Sequence, residues 1–270
     1  MTPRLLPISP NGRRYGAQPS KLDPRDYSFA RFAAFAEIEQ VKIPPSVSLQ
    51  GDCGPVRDQG DEGSCTGHAG YAMRMHLRNA LQNADKKNQV TFSPASIYWH
   101  ARLIDGTTDQ DAGSTGRSVC IAMNKYGAAP IGDEPYVAGD YATPPSAKAE
   151  QDALKWKAGA YHRLLSVDEM KHCIASGYGF IVGFAVYESF EADNVARSGI
   201  MPVPNVNRER CLGGHEVFFM GYDDAKAAFT VQNSWGTAWG QDGFFQFPYE
   251  CAKDENVLFD AFIQHLGKPW

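Results

Sequence analysis

The stretch Val231-Gln232-Asn233-Ser234-Trp235-Gly236-Thr237-Ala238-Trp239-Gly240 carries the reading of this chain. An asparagine that ends a short apolar strand can accept a hydrogen bond from a histidine, and a tryptophan beside it can shield that bond from water. A glycine-rich turn with two core tryptophans is the plainer account of the same residues. Upstream, Gly213-Gly214-His215-Glu216-Val217 opens a strand with a histidine that the glycines leave approachable. Further upstream, Gln59-Gly60-Asp61-Glu62-Gly63-Ser64-Cys65-Thr66-Gly67-His68-Ala69 leads into a helix with Cys65 in its first turn. The N–H groups and partial positive charge of a helix start favour thiolate over thiol, and thiolate is the nucleophile. Taken alone, a buried structural cysteine accounts for the Cys65 cluster equally well, and a structural or partly exposed histidine is the commoner account of the His215 cluster.

Around these clusters the chain changes character. Residues 1–42 begin rich in Pro, Arg and Gly and pass into SFARFAAFAEIEQ, residues 28–40, a stretch that predicts a short helix; Ile43-Pro44-Pro45 then breaks any helix. Cys65 to about Leu81 reads as a helix with one apolar stripe and with Arg74 and Arg78 off it. Ser93-Pro94 starts another, a third stops at Gly127, and Ser166 with Glu169 caps a fourth. Beyond that lie short runs rich in valine and aromatics: Phe180–Val186, Glu216–Tyr222, Ala228–Val231 and Gly243–Phe247. Helices first and strands second predict an α+β protein with two chemically distinct halves.

The combination is more telling than its parts. Cys65, His215 and Asn233 stand in papain-type order, His215 150 residues after the nucleophile (215 − 65) and Asn233 18 further on (233 − 215). Q-G-x-x-G-S-C ending at Cys65, G-H-x-V around His215 and N-S-W-G-T-x-W-G from Asn233 together resemble the papain family of cysteine peptidases. Ile43-Pro44-Pro45-Ser46-Val47-Ser48-Leu49 resembles the start of that family's mature domain, and the match runs through Lys125-Tyr126-Gly127 and Glu134-Pro135-Tyr136 to Gly243. Thr66-Gly67-His68-Ala69 is more similar to bacterial members.

The resemblance implies a two-lobed papain-like fold with the site between the lobes and no cofactor or metal. A helical lobe, mainly residues 50–160, would carry Cys65; an antiparallel, barrel-like lobe, mainly 161–250, would carry His215 and Asn233. Cys65 would attack a peptide carbonyl, His215 would be the base, Asn233 would orient it and Trp235 would cover the pair. Gln59 would stabilise the oxyanion with the Cys65 backbone N–H. In such enzymes a histidine partner lowers the cysteine pKa to about 3–4. Gly113-Ser114 would pair with the substrate backbone, loop flexibility being the alternative, and Gly214 and Glu216 would line the cleft; Glu216 would favour a basic side chain there, against the plainer account of a strand residue facing elsewhere. Residues 1–42 are too short for the family's long prodomain but would serve as an arm across the cleft, with Tyr15 or Tyr27 as an apolar plug; an inert wrap is the alternative. His68, one turn after Cys65, reads as packing, and His172-Cys173 as helix surface and core. Glu62 stands where the family carries a cysteine, which removes a familiar disulfide.

Composition narrows the rest. A 270-residue chain with 43% hydrophobic residues buries a sizeable core, and a net charge of −5 without a Lys/Arg block argues against nucleic acid. No run approaches the roughly 18 apolar residues of a membrane helix. No secretory signal is visible, which leaves localisation open. The six cysteines include no C-x-x-C pair. A monomeric endopeptidase acting on peptides or proteins is the expectation; a catalytically silent peptide-binding protein and an acyl transferase with the same triad are the alternatives.

Overall fold

The computed structural model describes residues 8–24, 26–36, 38, 40–81 and 90–266. The arm contributes β1 (Ala17–Gln18), β2 (Tyr27–Ser28) and α1 (Phe29–Ala36), and β3 (Ser46–Ser48) follows. The helical lobe holds α2 (Cys65–His76), α3 (Pro94–Asp105), β4 (Ser114–Thr115), α4 (Gly116–Lys125) and α5 (Ala147–Ala153). The second lobe holds β5 (Tyr161–Arg163), α6 (Val167–Ala175), β6 (Phe180–Tyr187), α7 (Asp193–Ser198), β7 (Cys211–Asp223), β8 (Ala228–Gln232), β9 (Phe244–Pro248), α8 (Tyr249–Lys253) and β10 (Leu258–Gln264).

Local chemistry sets the helix ends. Ser93 Oγ accepts the Ser96 N–H at 3.2 Å with Pro94 in the first turn of α3, and Gly106 closes that helix at φ 74°. Ser166 Oγ accepts the Glu169 N–H at 3.1 Å while the Glu169 carboxylate reaches back to the Leu165 N–H at 2.6 Å. Helix α2 is different: its N-cap, Ser64, makes no side-chain cap, and every residue from Cys65 to His76 is buried. Small residues make room for its neighbours, since a Cβ at Gly67 would lie 2.6 Å from the Pro94 carbonyl and one at Gly70 2.7 Å from Val119. Arg74 and Arg78, read off the apolar stripe, are buried as well. Arg74 Nε donates to the Trp156 carbonyl at 3.0 Å, and its guanidinium lies 4.7 Å from the Phe92 ring centroid. The single stripe fails because α2 is packed on all sides.

The main sheet runs in the order β2-β5-β10-β6-β7-β8-β9, with β3 added on β7; it is open and antiparallel except where β2 joins β5 in parallel. The interior strand β10 lies beyond the segment expected to build most of this lobe. Alternation along β7 divides two cores. Val217 and Phe219 face Phe229, Phe245 and Phe247 inside the β lobe, whereas Phe218 and Met220 join Met73, Val119 and Met123 of the helical lobe. The start of α2 thus sits against the strand that carries His215.

Candidate active site

Cys65 is fully buried, and the backbone N–H groups of Glu216, Gly16 and Thr66 point to its sulfur. His215, on β7, is buried and lies under Trp235, with ring centroids 4.9 Å apart and planes 27° from parallel. The Asn233 Oδ1 accepts both the Ser234 N–H, at 2.8 Å, and His215 Nε2, at 2.8 Å. An oxygen that takes an N–H from Ser234 is an acceptor, so His215 carries its proton on Nε2. The His215 Nδ1 is then a lone-pair acceptor, and it has no hydrogen-bond partner among the described residues. Trp239 stands edge-on to Trp235 at 4.9 Å and completes the apolar cover.

Gln59 is aimed by its neighbours. Ser234 Oγ donates to its Oε1 at 2.6 Å, which turns Nε2 toward the Glu62 carbonyl at 2.9 Å and the Arg14 carbonyl at 3.5 Å. Its main chain bonds the Ser234 carbonyl at 2.9 Å, and the Tyr136 hydroxyl donates to its carbonyl at 2.7 Å. Tyr136 also shares a 2.8 Å hydrogen bond with Ser64, and Glu62 accepts the Gly139 N–H at 2.8 Å. Burial raises the Glu62 carboxyl to about 7. Ser234, Tyr136 and Glu62 therefore set the geometry of this corner. Their sequence signals were indirect: the first lies within Asn-Ser-Trp-Gly, the second within Glu-Pro-Tyr, and the third is a departure from the family pattern.

The arm passes through this site. A Cβ on Gly16 would lie 1.9 Å from the Gly63 oxygen, one on Gly113 1.8 Å from the Gly16 oxygen, and one on Gly214 2.1 Å from the Ala17 oxygen. Glycine is the residue that permits this approach, and Gly113 also sits at φ 71°. The Ser114 N–H donates to the Gly16 carbonyl at 2.9 Å, and β1 continues in parallel along β4. The expected backbone-pairing edge, Gly113-Ser114, is thus occupied by the arm. Tyr15 is buried, with its ring 6.0 Å from His215 and 6.2 Å from Trp235, and its hydroxyl bonds Glu191. Tyr27 is elsewhere: 39% exposed, it packs on His162 at 5.5 Å because β2 joins the sheet edge at β5. Of the two tyrosines expected at the cleft, the structure places Tyr15 beside His215 and Trp235 and Tyr27 at the sheet edge on β5.

Charge states follow from this closure. Burial is the largest influence on both groups, pushing the Cys65 thiol up to about 12 and the His215 imidazole down to about 3. The low thiol pKa implied by the resemblance is therefore absent while the arm seals the site. Glu216 is buried, neither carboxyl oxygen has a hydrogen-bond partner among the described residues, and its pKa lies well above the usual range. Its carboxyl faces Gly116 and Gly183, and burial favours its neutral form over the charge that would attract a basic side chain. His68 bonds the Ser64 carbonyl at 3.1 Å and packs edge-on to Tyr136, while His172 donates to the Ile38 carbonyl at 2.7 Å and Cys173 is buried. All six cysteines are free thiols.

Comparison with known proteins agrees with this geometry. The sequence model of the papain family of cysteine proteases matches residues 44–259. The chain belongs to the papain family of cysteine proteases. The crystal structure of xylellain, a cysteine protease from Xylella fastidiosa, superposes with a TM-score of 0.84 at 29% identity, covering 94% of this chain and 96% of that one. A peptidase C1-like protein of Acanthamoeba polyphaga mimivirus is 32% identical over 218 residues, 76% of this chain and 68% of its own. The procathepsin B of Trypanosoma congolense, 18% identical, shares the fold with a TM-score of 0.75 over 95% of this chain and 88% of that one. This papain-family protein is a thiol protease, a hydrolase of protein substrates. Among the described residues no helix is long and apolar enough to cross a membrane.

Proposed function

We propose that this protein is a cysteine endopeptidase held latent by its own arm. The observation that carries the reading is the path of the arm. It runs past Cys65 and continues on both sides, from Arg13 beside Trp235 to Ala17-Gln18 on Ser114-Thr115. A cleft that holds a continuous chain on both sides suits an internal peptide bond. In the open enzyme the Cys65 thiol gives its proton to His215 Nδ1, and the thiolate attacks the carbonyl carbon. The oxyanion is held by Gln59 Nε2 and the Cys65 N–H, and the imidazolium protonates the leaving amine. Water, deprotonated by His215, then hydrolyses the thioester. The arm resists this chemistry by filling the cleft where a substrate would lie, with Gly16 packed against Gly63 and held by the Ser114 N–H.

Gly16→Ala tests the proposal. The added Cβ has no place 1.9 Å from the Gly63 oxygen, so the arm must leave. Expected are a rise of about tenfold or more in kcat/KM on peptides blocked at both ends, cleaved internally, and faster labelling of Cys65 by an epoxysuccinyl inhibitor, located by mass spectrometry. A Cys65→Ser control abolishes both. Trimming restricted to free termini argues against the endopeptidase, equal rates with wild type argue against latency, and absent labelling in both forms removes the peptidase.

A further inference from the structure

Behind the reacting pair lies a cavity of about 10 Å³, with Arg57, His68, Gln232 and Asn233 in its wall. That is room for one water molecule. Each of these residues brings a buried atom with no hydrogen-bond partner among the described residues: Arg57 Nε, His68 Nε2, Gln232 Oε1 and Asn233 Nδ2. His68, Gln232 and Asn233 are 2%, 3% and 3% exposed, so bulk water does not serve them. Glu216 also lines the cavity, but its carboxyl faces Gly116 and Gly183.

The polarity of each atom is set by what the rest of its side chain does. Asn233 Oδ1 accepts from His215 and from the Ser234 N–H, so its Nδ2 is a donor. Gln232 Nε2 donates to the Gly54 carbonyl at 3.1 Å, so its Oε1 is an acceptor. The Ser64 carbonyl, 3.1 Å from His68 Nδ1, can only accept. His68 therefore carries its proton on Nδ1 and a lone pair on Nε2. Burial keeps this ring neutral by lowering its pKa to about 4. Arg57 Nε is a donor in every charge state of a protein arginine. Two donors and two acceptors are the complement of one water, which accepts from Asn233 and Arg57 and donates to His68 and Gln232. Dry cavities in proteins have apolar walls, and this wall is polar.

We infer that the cavity holds a water molecule bonded to both His68 and Asn233, and that His68 is thereby a positioning residue for the reacting pair. This rests on the peptidase reading above. His68 sits one turn after Cys65 on α2, and Asn233 follows β8 in the lobe that carries His215. The water thus ties the helix of the nucleophile to the asparagine that orients the base. Without it, Asn233 Nδ2 is a buried donor with nothing to receive its protons. Rotation of the amide toward another acceptor would then take the Oδ1 away from His215.

Two substitutions in the Gly16→Ala background separate the halves of the imidazole. His68→Asn keeps a donor near the Ser64 carbonyl and loses the acceptor at the cavity. His68→Gln gives up the Ser64 bond and brings an amide oxygen to the place of Nε2. Both lose the edge-on contact with Tyr136, so a purely structural role lowers both alike. The expected result on an internally cleaved peptide is a kcat lower by about tenfold or more for His68→Asn, with KM little changed, and a kcat largely rescued in His68→Gln. Equal losses in the two, or a loss confined to KM, overturn the inference. A crystal structure of the full-length wild type is expected to show a water about 2.7–3.2 Å from His68 Nε2 and Asn233 Nδ2. A dry cavity, or a water that misses either atom, overturns the inference while an active enzyme leaves the peptidase reading standing. Absence of hydrolysis in every form, the Gly16→Ala parent included, removes that reading and the inference with it.

Discussion

The Asn233 oxygen takes one N–H from His215 and one from Ser234, and so leaves the His215 Nδ1 lone pair available to a thiol proton. Ser234 does a second task, since its hydroxyl fixes which end of the Gln59 amide faces the cleft. A hydrogen-bond donor aimed where negative charge develops acts on the transition state more than on bound substrate. Gln59→Ala, placed in the Gly16→Ala background, is therefore expected to lower kcat by about 10²–10³ with KM little changed. Steady-state kinetics on one internally cleaved peptide checks this, and a loss confined to KM contradicts it. The types and order of Gln59, Cys65, His215 and Asn233 were legible in their motifs. The role of Ser234 was not, because a serine next to an asparagine carries no signal until its hydroxyl is seen to meet a glutamine far earlier in the chain.

Helix α1 of the arm docks on a cluster of imidazoles. Phe32, fully buried, packs against His162 at 5.3 Å, His265 at 6.1 Å and Tyr178 at 5.0 Å, and Phe29 meets His172 at 5.3 Å. His162 and His265 lie 5.5 Å apart, with Tyr27 and Arg31 of the arm also near His162. Burial holds His162 down to about 4 and His265 below its usual value. Above the ordinary histidine pKa of about 6.5 both rings are neutral whether the arm is docked or not. As pH falls from there toward about 4, the released state binds protons that the docked state refuses, so docking weakens. The labelling rate of wild type, divided by that of Gly16→Ala to cancel the chemistry of the reagent, is expected to climb toward unity across that window. A flat ratio contradicts the expectation. The helix itself was legible from its alanine and phenylalanine pattern; its seat was not, because the histidines come from distant elements.

Across the molecule, the lobes are joined by backbone crossings without any disulfide. The Gly236 N–H donates to the Arg57 carbonyl at 3.0 Å, Gln232 donates to the Gly54 carbonyl at 3.1 Å, and β3 adds to β7. Glu62, at the position of the family's missing cysteine, ties its turn to Gly139 by a hydrogen bond. With six free thiols, the thermal midpoint is expected to be the same with and without a thiol reductant. Glu62→Ala, by contrast, removes the acceptor of the Gly139 N–H and lowers stability by about 0.5–1.5 kcal/mol, since the exposed Gly139 N–H regains water. Thermal and denaturant unfolding measure both. A reductant-dependent midpoint, or a neutral Glu62→Ala, contradicts this account.

By itself, the sequence determined the family and the α+β architecture and singled out the candidate reacting residues, because each rests on local patterns: a helix start at Cys65, a glycine-preceded His215, and Asn233 before Ser-Trp. It also marked Gly113 as a place where a peptide backbone pairs and Gly214 as lining the cleft. Only the tertiary structure decided which group covers the site, since Tyr15 and Tyr27 look alike in the chain but β2 carries Tyr27 to the far sheet edge. It likewise decided that Glu216 is buried with its neutral form favoured, that α2 is enclosed on all sides, and that His68 and Asn233 line one cavity. Burial and pairing between distant residues are properties of packing, and packing is settled when the lobes and the arm close on one another.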